Sequence, residues 1–293
     1  MSDSSTPDEP GAAPARAAAF FDLDKTLIAT SAATAFARPF LTGGLLSRRA
    51  MLRSAGAQIA FLLGSATEGR TERVRAQLSA MVTGWDVERV SAIVAESLHA
   101  SIDAVVYAEA LDLVEQHHAA GHEVVVVSAS SAELVLPIAE LVGADQVIAS
   151  RMGVAEGRYT GEIAFYAYGP AKATAMRDLA ARRGYDLAAS SAYTDSATDL
   201  PMLEAVGHGY VVNPDRALRR LAAERGWTPL VFRRRAGVRA RGLGRRAALR
   251  HLARAAPRRD RALLAGGVLL AGGVAVLVGA ALGWARRARR RPA

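Results

Sequence analysis

At 293 residues, of which 51% are hydrophobic and 22% charged, the chain is long enough for one well-packed domain and a smaller accessory unit. It has no cysteine, which excludes disulfides, thiolate metal sites and cysteine nucleophiles. The formal net charge of +9 is uneven: residues 1–232 carry 20 Lys and Arg against 27 Asp and Glu, whereas residues 233–293 carry 17 Arg against the single Asp260, so the basic character belongs to a tail.

Residues 1–16 are acidic and rich in Ser, Pro and Ala, without the basic and apolar regions of a secretion signal, and are expected to form a disordered leader. Ala17 to Phe21 reads as a short buried parallel strand that ends on acidic residues. Further strands are expected over Val124–Val127, Gln146–Ala149, Ala188–Thr194 and Tyr210–Val212. Helical spacing falls between them, over Tyr107–Ala120, Ser131–Val142, Ala171–Arg183, Asp199–Ala205 and Arg216–Arg225. This alternation predicts an α/β fold of the Rossmann-like type, a parallel sheet flanked by helices, over residues 17–232. Ligands of such sheets sit at the carboxyl ends of the strands.

Between the first strand and the VVVV strand only helical patterns occur, over Leu45–Leu63, Thr71–Val82 and Val87–Val106, which predicts an inserted helical cap spanning about residues 31–106. Leu45–Gly64 is both apolar and Arg-bearing, so it reads either as a packed cap helix or as a segment lying on a membrane. Gly153–Ile163 alternates around Glu156-Gly157 and predicts a β-hairpin. His117, His118 and His122 resemble a metal cluster, but helical spacing turns the first two apart, so a solvated polar face is expected instead.

Residues 233–261 form an Arg-rich segment, and residues 262–285 run for 24 positions without a charge, long enough to span a bilayer. Trp284 stands where an interfacial aromatic belongs, and residues 286–293 make a basic tail. One C-terminal transmembrane helix is therefore expected, in a single-pass protein of the cell membrane. Twelve Arg precede the span and five follow it, which favours a catalytic domain on the cytoplasmic side. The Arg run lacks interleaved aromatics, so anionic lipid is its expected partner and no specific nucleic acid is. Oligomeric state is left open by these features.

The chemistry concentrates in FFDLDKTL, Phe20 to Leu27, where an apolar strand delivers Asp22 and Asp24 with Thr26 just beyond. One carboxylate can attack phosphorus while the other supplies the leaving-group proton. An Asp-rich turn capping a helix near Thr26 is the competing reading. After VVVV, Ser128 and the amide of Ala129 lie at a strand end where a helix begins, a good place for phosphate oxygens. Lys172 opens the helix after YGP, and TDSATDLPML puts Asp195 at another strand end with Asp199 four residues on. Four carboxylates, one Lys and one Ser thus reach one sheet edge, the donor set of a magnesium phosphoryl-transfer site.

In order and in strand context these motifs resemble the haloacid dehalogenase superfamily, in the helical-cap subfamily of phosphoserine phosphatase-like hydrolases, over roughly Arg16 to Phe232. The resemblance implies a Mg2+-dependent phosphomonoester hydrolase in which Asp22 is the phosphorylated nucleophile and Asp24 the general acid and later base. It implies phosphate binding by Thr26, Ser128, Ala129 and Lys172, and a metal site of Asp22, Asp24 through its backbone carbonyl, Asp195 and Asp199. Enzymes of that kind acting on phosphoserine carry a Glu nine residues after the nucleophile; here the position is Ser31, so the expected substrate is another small phosphorylated metabolite, or a phosphorylated lipid or lipid precursor. They also carry Gly-Gly after the phosphate-binding Ser, where this chain has Ala129-Ser130, and Asn where it has Thr198. The alternative is a membrane-anchored regulatory or scaffold protein that keeps the fold without turnover.

Overall fold

The computed structural model describes residues 16–46 and 79–235. The chain divides into two units, residues 1–244 and 245–293, and the second lies wholly outside the described residues. So do the expected leader up to residue 15, most of the expected helices over 45–63 and 71–82, the Arg-rich segment from residue 236 and the expected membrane span 262–285. Among the described residues no helix is long and apolar enough to cross a membrane.

The centre of the sheet is β1 (Ala18–Asp22), flanked by β2 (Glu123–Ser131) and β5 (Ser191–Thr194). Side chains alternate across a strand, so Ala19 and Phe21 join Val124 and Val126 in one core, and Ala18 and Phe20 join Val125 and Val127 in the other. Both faces are covered, which is why these strands read as unbroken apolar runs. With β3 (Gln146–Ala155), β4 (Arg158–Phe165), β6 (His208–Val212) and β7 (Thr228–Leu230) the order is β4-β3-β2-β1-β5-β6-β7, parallel except for β3 with β4. The strand order reverses at β1, which opens a crevice at its carboxyl end.

The first core is completed by α3 (Val87–Ile102), α4 (Ala108–Ala119) and α5 (Ala132–Val142), the second by α6 (Pro170–Arg183), α7 (Leu200–Glu204) and α8 (Arg216–Arg225). Two short helices, α1 (Ala32–Ala35) and α2 (Ala37–Thr42), follow the β1 loop and pack into the first core through Ala32, Phe36 and Phe40. They, α3 and the described stretch 79–86 that leads into it belong to the cap. The predicted hairpin is present as β3–β4. Its tip residues Glu156 (φ 49) and Gly157 (φ 72) both take positive φ, the condition of the tight turns that match strand twist. The cap hangs on this hairpin: the Gly84 N–H donates to the Tyr159 carbonyl at 2.8 Å, Tyr159 N–H to Trp85 at 3.0 Å, and Val87 N–H to Gly157 at 2.9 Å.

Several elements differ from the sequence expectation, among them α1 and α2, which lie where no helix is expected, and α3, which ends at Ile102 and not at Val106. The strand expected from Ala188 begins only at Ser191, because the Asp186 carboxylate accepts the N–H groups of Ala188 and Ala189 and holds them in a turn. The helix expected from Asp199 opens as a 3-10 turn over Ala197–Asp199. The edge strand β7 was not anticipated: three residues containing Pro229 carry no alternation, and Pro is tolerated there because the strand is an edge.

The histidines also need correction, since they do not form a solvated face. His117 Nε2 lies 2.7 Å from the Tyr193 hydroxyl and its Nδ1 lies 3.0 Å from His122 Nδ1, while His118 Nε2 lies 2.9 Å from Asp145 Oδ2, which also accepts the Val124 N–H. Tyr193 stacks between Phe21 and Tyr210, with which it is in register across β1, β5 and β6. The two His117 bonds are satisfied together by a neutral imidazole that donates to His122 and accepts from Tyr193. Burial first, and then the neighbouring His122 and His118, push the His117 pKa down from 6.5 to about 4.

A base depressed by folding stabilises fully above its unfolded pKa and loses that contribution as pH falls through the folded one. Stability should therefore decline between pH 6.5 and 4, by on the order of 1–2 kcal/mol from this group once its partial exposure is allowed for. Urea midpoints of the wild type and His117→Gln across that window measure it. The variant should show a shallower decline, and an identical slope would assign the proton uptake elsewhere.

Candidate active site

Side-chain parity along β1 sends Asp22 to the same face as Phe20, toward α6. There Lys172, in the first turn of α6 after Pro170, donates to Asp22 Oδ1 at 2.6 Å and to Asp199 Oδ2 at 2.7 Å. All three side chains are buried. Asp199 Oδ2 also accepts the Thr194 hydroxyl at 2.8 Å, and Thr194 lies on the face of β5 that Ala192 shares with this core. An ammonium has three donors, so two of the Lys172 donors are spent on carboxylates and one is left for a ligand. Burial would push Lys172 down, but the carboxylates of Asp22 and Asp199 outweigh it and hold the ammonium above its ordinary range. Burial raises Asp22 well above the carboxylate range, against the pull of Lys172 and with the help of Asp199 and Asp24.

Asp24 is gripped through both oxygens. Its Oδ1 accepts the Ala32 N–H at 2.8 Å, from the start of α1, and its Oδ2 accepts the Ser130 hydroxyl at 3.1 Å. Burial raises its pKa, opposed by these two bonds. Ser130 reaches it because β2 bulges against β3: Ser128 pairs with Ala149 but Ser131 with Ser150, leaving Ala129 and Ser130 extra. Bulges of this kind re-aim side chains beside active sites. The bulge is pinned by Ser150, whose hydroxyl donates to the Ala129 carbonyl at 2.7 Å and accepts the Ala167 N–H at 3.0 Å. Ser128 is buried, and its hydroxyl oxygen accepts the Ser130 N–H at 3.1 Å.

Asp195 follows β5 on the same edge; burial pushes it up to about 6, with Lys25 and Lys172 opposing and Asp199 adding to the rise. Thr26 is fully buried and its hydroxyl has no hydrogen-bond partner among the described residues, while the turn is closed by backbone bonds from Leu27 and Ile28 to the Leu23 carbonyl. Among the described residues no three His, Cys, Asp or Glu side chains are gathered into a ready-made metal cluster. Magnesium needs none, because it takes one or two carboxylates and fills the other positions with carbonyls, water and phosphate. The donor set fits such an ion: the buried carboxyls of Asp22 and Asp199, with the half-buried Asp195 beside them, outnumber the one buried ammonium among the described residues and call for a further positive charge.

All of Asp22, Asp24, Ser128, Ala129, Lys172, Asp195 and Asp199 thus belong to the strand ends and helix starts at the β1 crevice. A groove of about 380 Å³ elsewhere, lined by Glu204, His208, Tyr210, Arg225 and Trp227, contains none of them. Sequence reasoning missed Thr194, Ser150 and the part played by Ser130, neutral hydroxyls whose partners lie five to 106 positions away. Lys172→Met would leave Asp22 and Asp199 without their counter-ion and is expected to cost about 3–5 kcal/mol of stability. Thr194→Val removes two hydrogen bonds, the one its hydroxyl donates to Asp199 and the one it accepts from the Ser196 N–H, and should cost about 1–3 kcal/mol. Urea denaturation ranks the two, and a larger loss from Thr194→Val would show that the ammonium is not the central tie.

A family model described as haloacid dehalogenase-like hydrolase matches residues 19–204, well over half of the chain. The chain is 58% identical over 220 residues to the inhibition of morphological differentiation protein of Streptomyces azureus, covering 75% of this chain and 79% of that one. It is 55% identical over 232 residues to a Mycobacterium tuberculosis (H37Rv) protein named a probable phosphatase, covering 79% and 81%. A solved structure of a protein of unknown function from Bordetella pertussis Tohama I superposes with a TM-score of 0.65 at 27% identity, over 74% of this chain and 98% of that one. The crevice residues and these likenesses agree, and the chain belongs to the haloacid dehalogenase-like hydrolases as a phosphatase-type enzyme of that family.

Proposed function

We propose that the protein hydrolyses a phosphomonoester with Mg2+, through an aspartyl-phosphate on Asp22. The observation that carries this reading is the buried chain Asp22–Lys172–Asp199 with Asp24 clamped beside it. Lys172 occupies Asp22 Oδ1, which leaves Oδ2 to attack phosphorus. The Lys172 proton not given to a carboxylate, the Ser128 hydroxyl and the Ala129 N–H are the groups that would hold the phosphoryl oxygens. As the bond from phosphorus to the leaving oxygen breaks, Asp24 gives that oxygen its proton, and the raised pKa of Asp24 suits it to hold one. Water then attacks phosphorus, Asp24 takes up a proton from it, the bond to Asp22 breaks and inorganic phosphate leaves. Magnesium, held by Asp22, Asp195 and the Asp24 carbonyl with Asp199 behind them, would supply neutralisation of the phosphate charge.

The substrate we infer is a small phosphorylated metabolite, or a phosphorylated lipid or lipid precursor. Phosphoserine is disfavoured because Ser31 offers no carboxylate to an amine; its hydroxyl caps α1, accepting the Thr34 N–H and lying 2.7 Å from the Thr34 hydroxyl. The uncharged stretch 262–285 and its Arg-rich flanks support a single-pass anchor that keeps the catalytic unit at the cytoplasmic side of the cell membrane. An anchored enzyme fits a lipid-borne phosphate better than a freely diffusing one.

Phosphate release by the full chain, with magnesium or EDTA, against phosphorylated metabolites and dispersed phospholipids tests the chemistry. Turnover should need magnesium, and Asp22→Asn should lower it by about a thousandfold or more. Release that survives both EDTA and Asp22→Asn would end the proposal. For the anchor, carbonate washing of membranes from cells producing the full chain should leave the protein in the pellet. Its complete release to the supernatant would refute the span.

A further inference from the structure

We propose that Ser130 is a positioning residue for the reaction, aligning the proton-carrying Asp24 with the phosphate-binding Ser128. The inference rests on the reading of Asp24 as general acid and base. Ser130 uses two different groups to do this: its hydroxyl donates to Asp24 Oδ2 at 3.1 Å, and its N–H donates to Ser128 Oγ at 3.1 Å. Accepting that N–H, the Ser128 oxygen turns its own proton outward, toward an incoming phosphoryl oxygen.

The terminal torsion of an Asp side chain is broad and roughly two-fold. The Ala32 N–H fixes one oxygen of Asp24, and that single bond leaves the carboxyl plane free to swing. A second bond on Oδ2, from the opposite wall of the crevice, removes the swing. Proton transfer depends steeply on that placement, since a misplacement of about 1 Å can cost on the order of a hundredfold.

Among the described residues nothing else accounts for the Ser130 hydroxyl. The residue lies in the bulge, outside the β2–β3 pairing, and the N-cap of α5 is Ser131, whose side chain makes no cap bond. The bulge itself is held without it, by the Ser150 hydroxyl on the Ala129 carbonyl. Ser130 is half-buried, so its substitution leaves the core untouched.

A leaving-group comparison tests the proposal. The ratio kcat/KM covers only the steps up to phosphorylation of Asp22, in which Asp24 serves as acid, and an alkyl ester needs that acid far more than an aryl ester with a stable anion. The full chain with magnesium is assayed on glycerol 2-phosphate and on p-nitrophenyl phosphate, as wild type, Ser130→Ala, Ser130→Thr, Asp24→Asn and the Asp24→Asn/Ser130→Ala double variant. Ser130→Ala should lose about tenfold in kcat/KM on the alkyl ester and stay within about twofold on the aryl ester. Ser130→Thr should restore the loss, and Ser130→Ala should cost nothing more once Asp24 is Asn.

An equal loss on both esters, a further loss in the Asp24→Asn background, or no loss while Asp24→Asn itself is impaired would overturn the role of Ser130 alone. Undiminished alkyl-ester turnover by Asp24→Asn would instead remove the acid–base reading on which the inference stands. Thermal melting of each variant separates misfolding from these outcomes, with Ser130→Gly as the replacement if the Ala variant is unfolded.

Discussion

A single ammonium, that of Lys172, sits in the interior between two carboxylates, and most of the site can be derived from the need to keep it there. An unpaired buried charge is intolerable, and a paired one is sustained only when geometry and additional hydrogen bonds are good. Asp22 and Asp199 supply the pairing at 2.6 and 2.7 Å, and Thr194 supplies the additional bond to Asp199. For this to happen β5 must lie beside β1, the parity of both strands must send Asp22 and Thr194 to one face, and α6 must begin over that face. The register Phe21 to Tyr193 and the aromatic stack it creates on the opposite face hold that parity in place. A one-residue slip of β5 against β1 would send Thr194 to the opposite face from Asp22.

The other wall of the crevice is organised by neutral hydroxyls rather than by charge. Ser150 ties the β2 bulge at Ala129 to the N–H of Ala167, five residues before Lys172, so the segment that carries Ser128 and the loop that leads to the ammonium share one anchor. Charge sets what Asp22 faces, and the hydroxyl network sets where Asp24 and Ser128 stand. Neither wall is complete alone: Asp22 is raised first by burial and then by Asp199 and Asp24, one from each wall, and Asp24 takes its two bonds from α1 and from the bulge.

The legibility of these parts in the sequence follows their physics. Asp22 and Asp24 were readable because an apolar run ending in two acids has few other uses, and Lys172, Asp195 and Asp199 because each stands where a strand ends or a helix starts. Ser150, Thr194 and Ser130 were not, since a serine or threonine is equally at home in a turn, a cap or a sheet, and only the partner across the crevice distinguishes them. The histidines were misread for a related reason. Helical spacing separates His117 from His118 correctly, but it does not say that the two sides of α4 at that point are covered by Tyr193 and by Asp145. Edge strand β7, three residues with a proline, falls below the length at which alternation can be seen.

The hairpin β3–β4 then joins site and cap into one mechanical piece. Its tip carries the cap through backbone bonds at Gly84, Trp85 and Val87, and through the Ser79 hydroxyl on the Gly161 carbonyl. Its base carries Ser150, and hence the bulge. The cap also returns to the site directly, through the Ala32 N–H on Asp24. A cap held both to Asp24 and, through one hairpin, to the β2 bulge cannot be displaced as a free lid without loading those bonds. The cap and the Asp24 carboxyl are therefore held by one framework, and a residue that alters how the cap seats on the hairpin acts on Asp24 and on the β2 bulge as well.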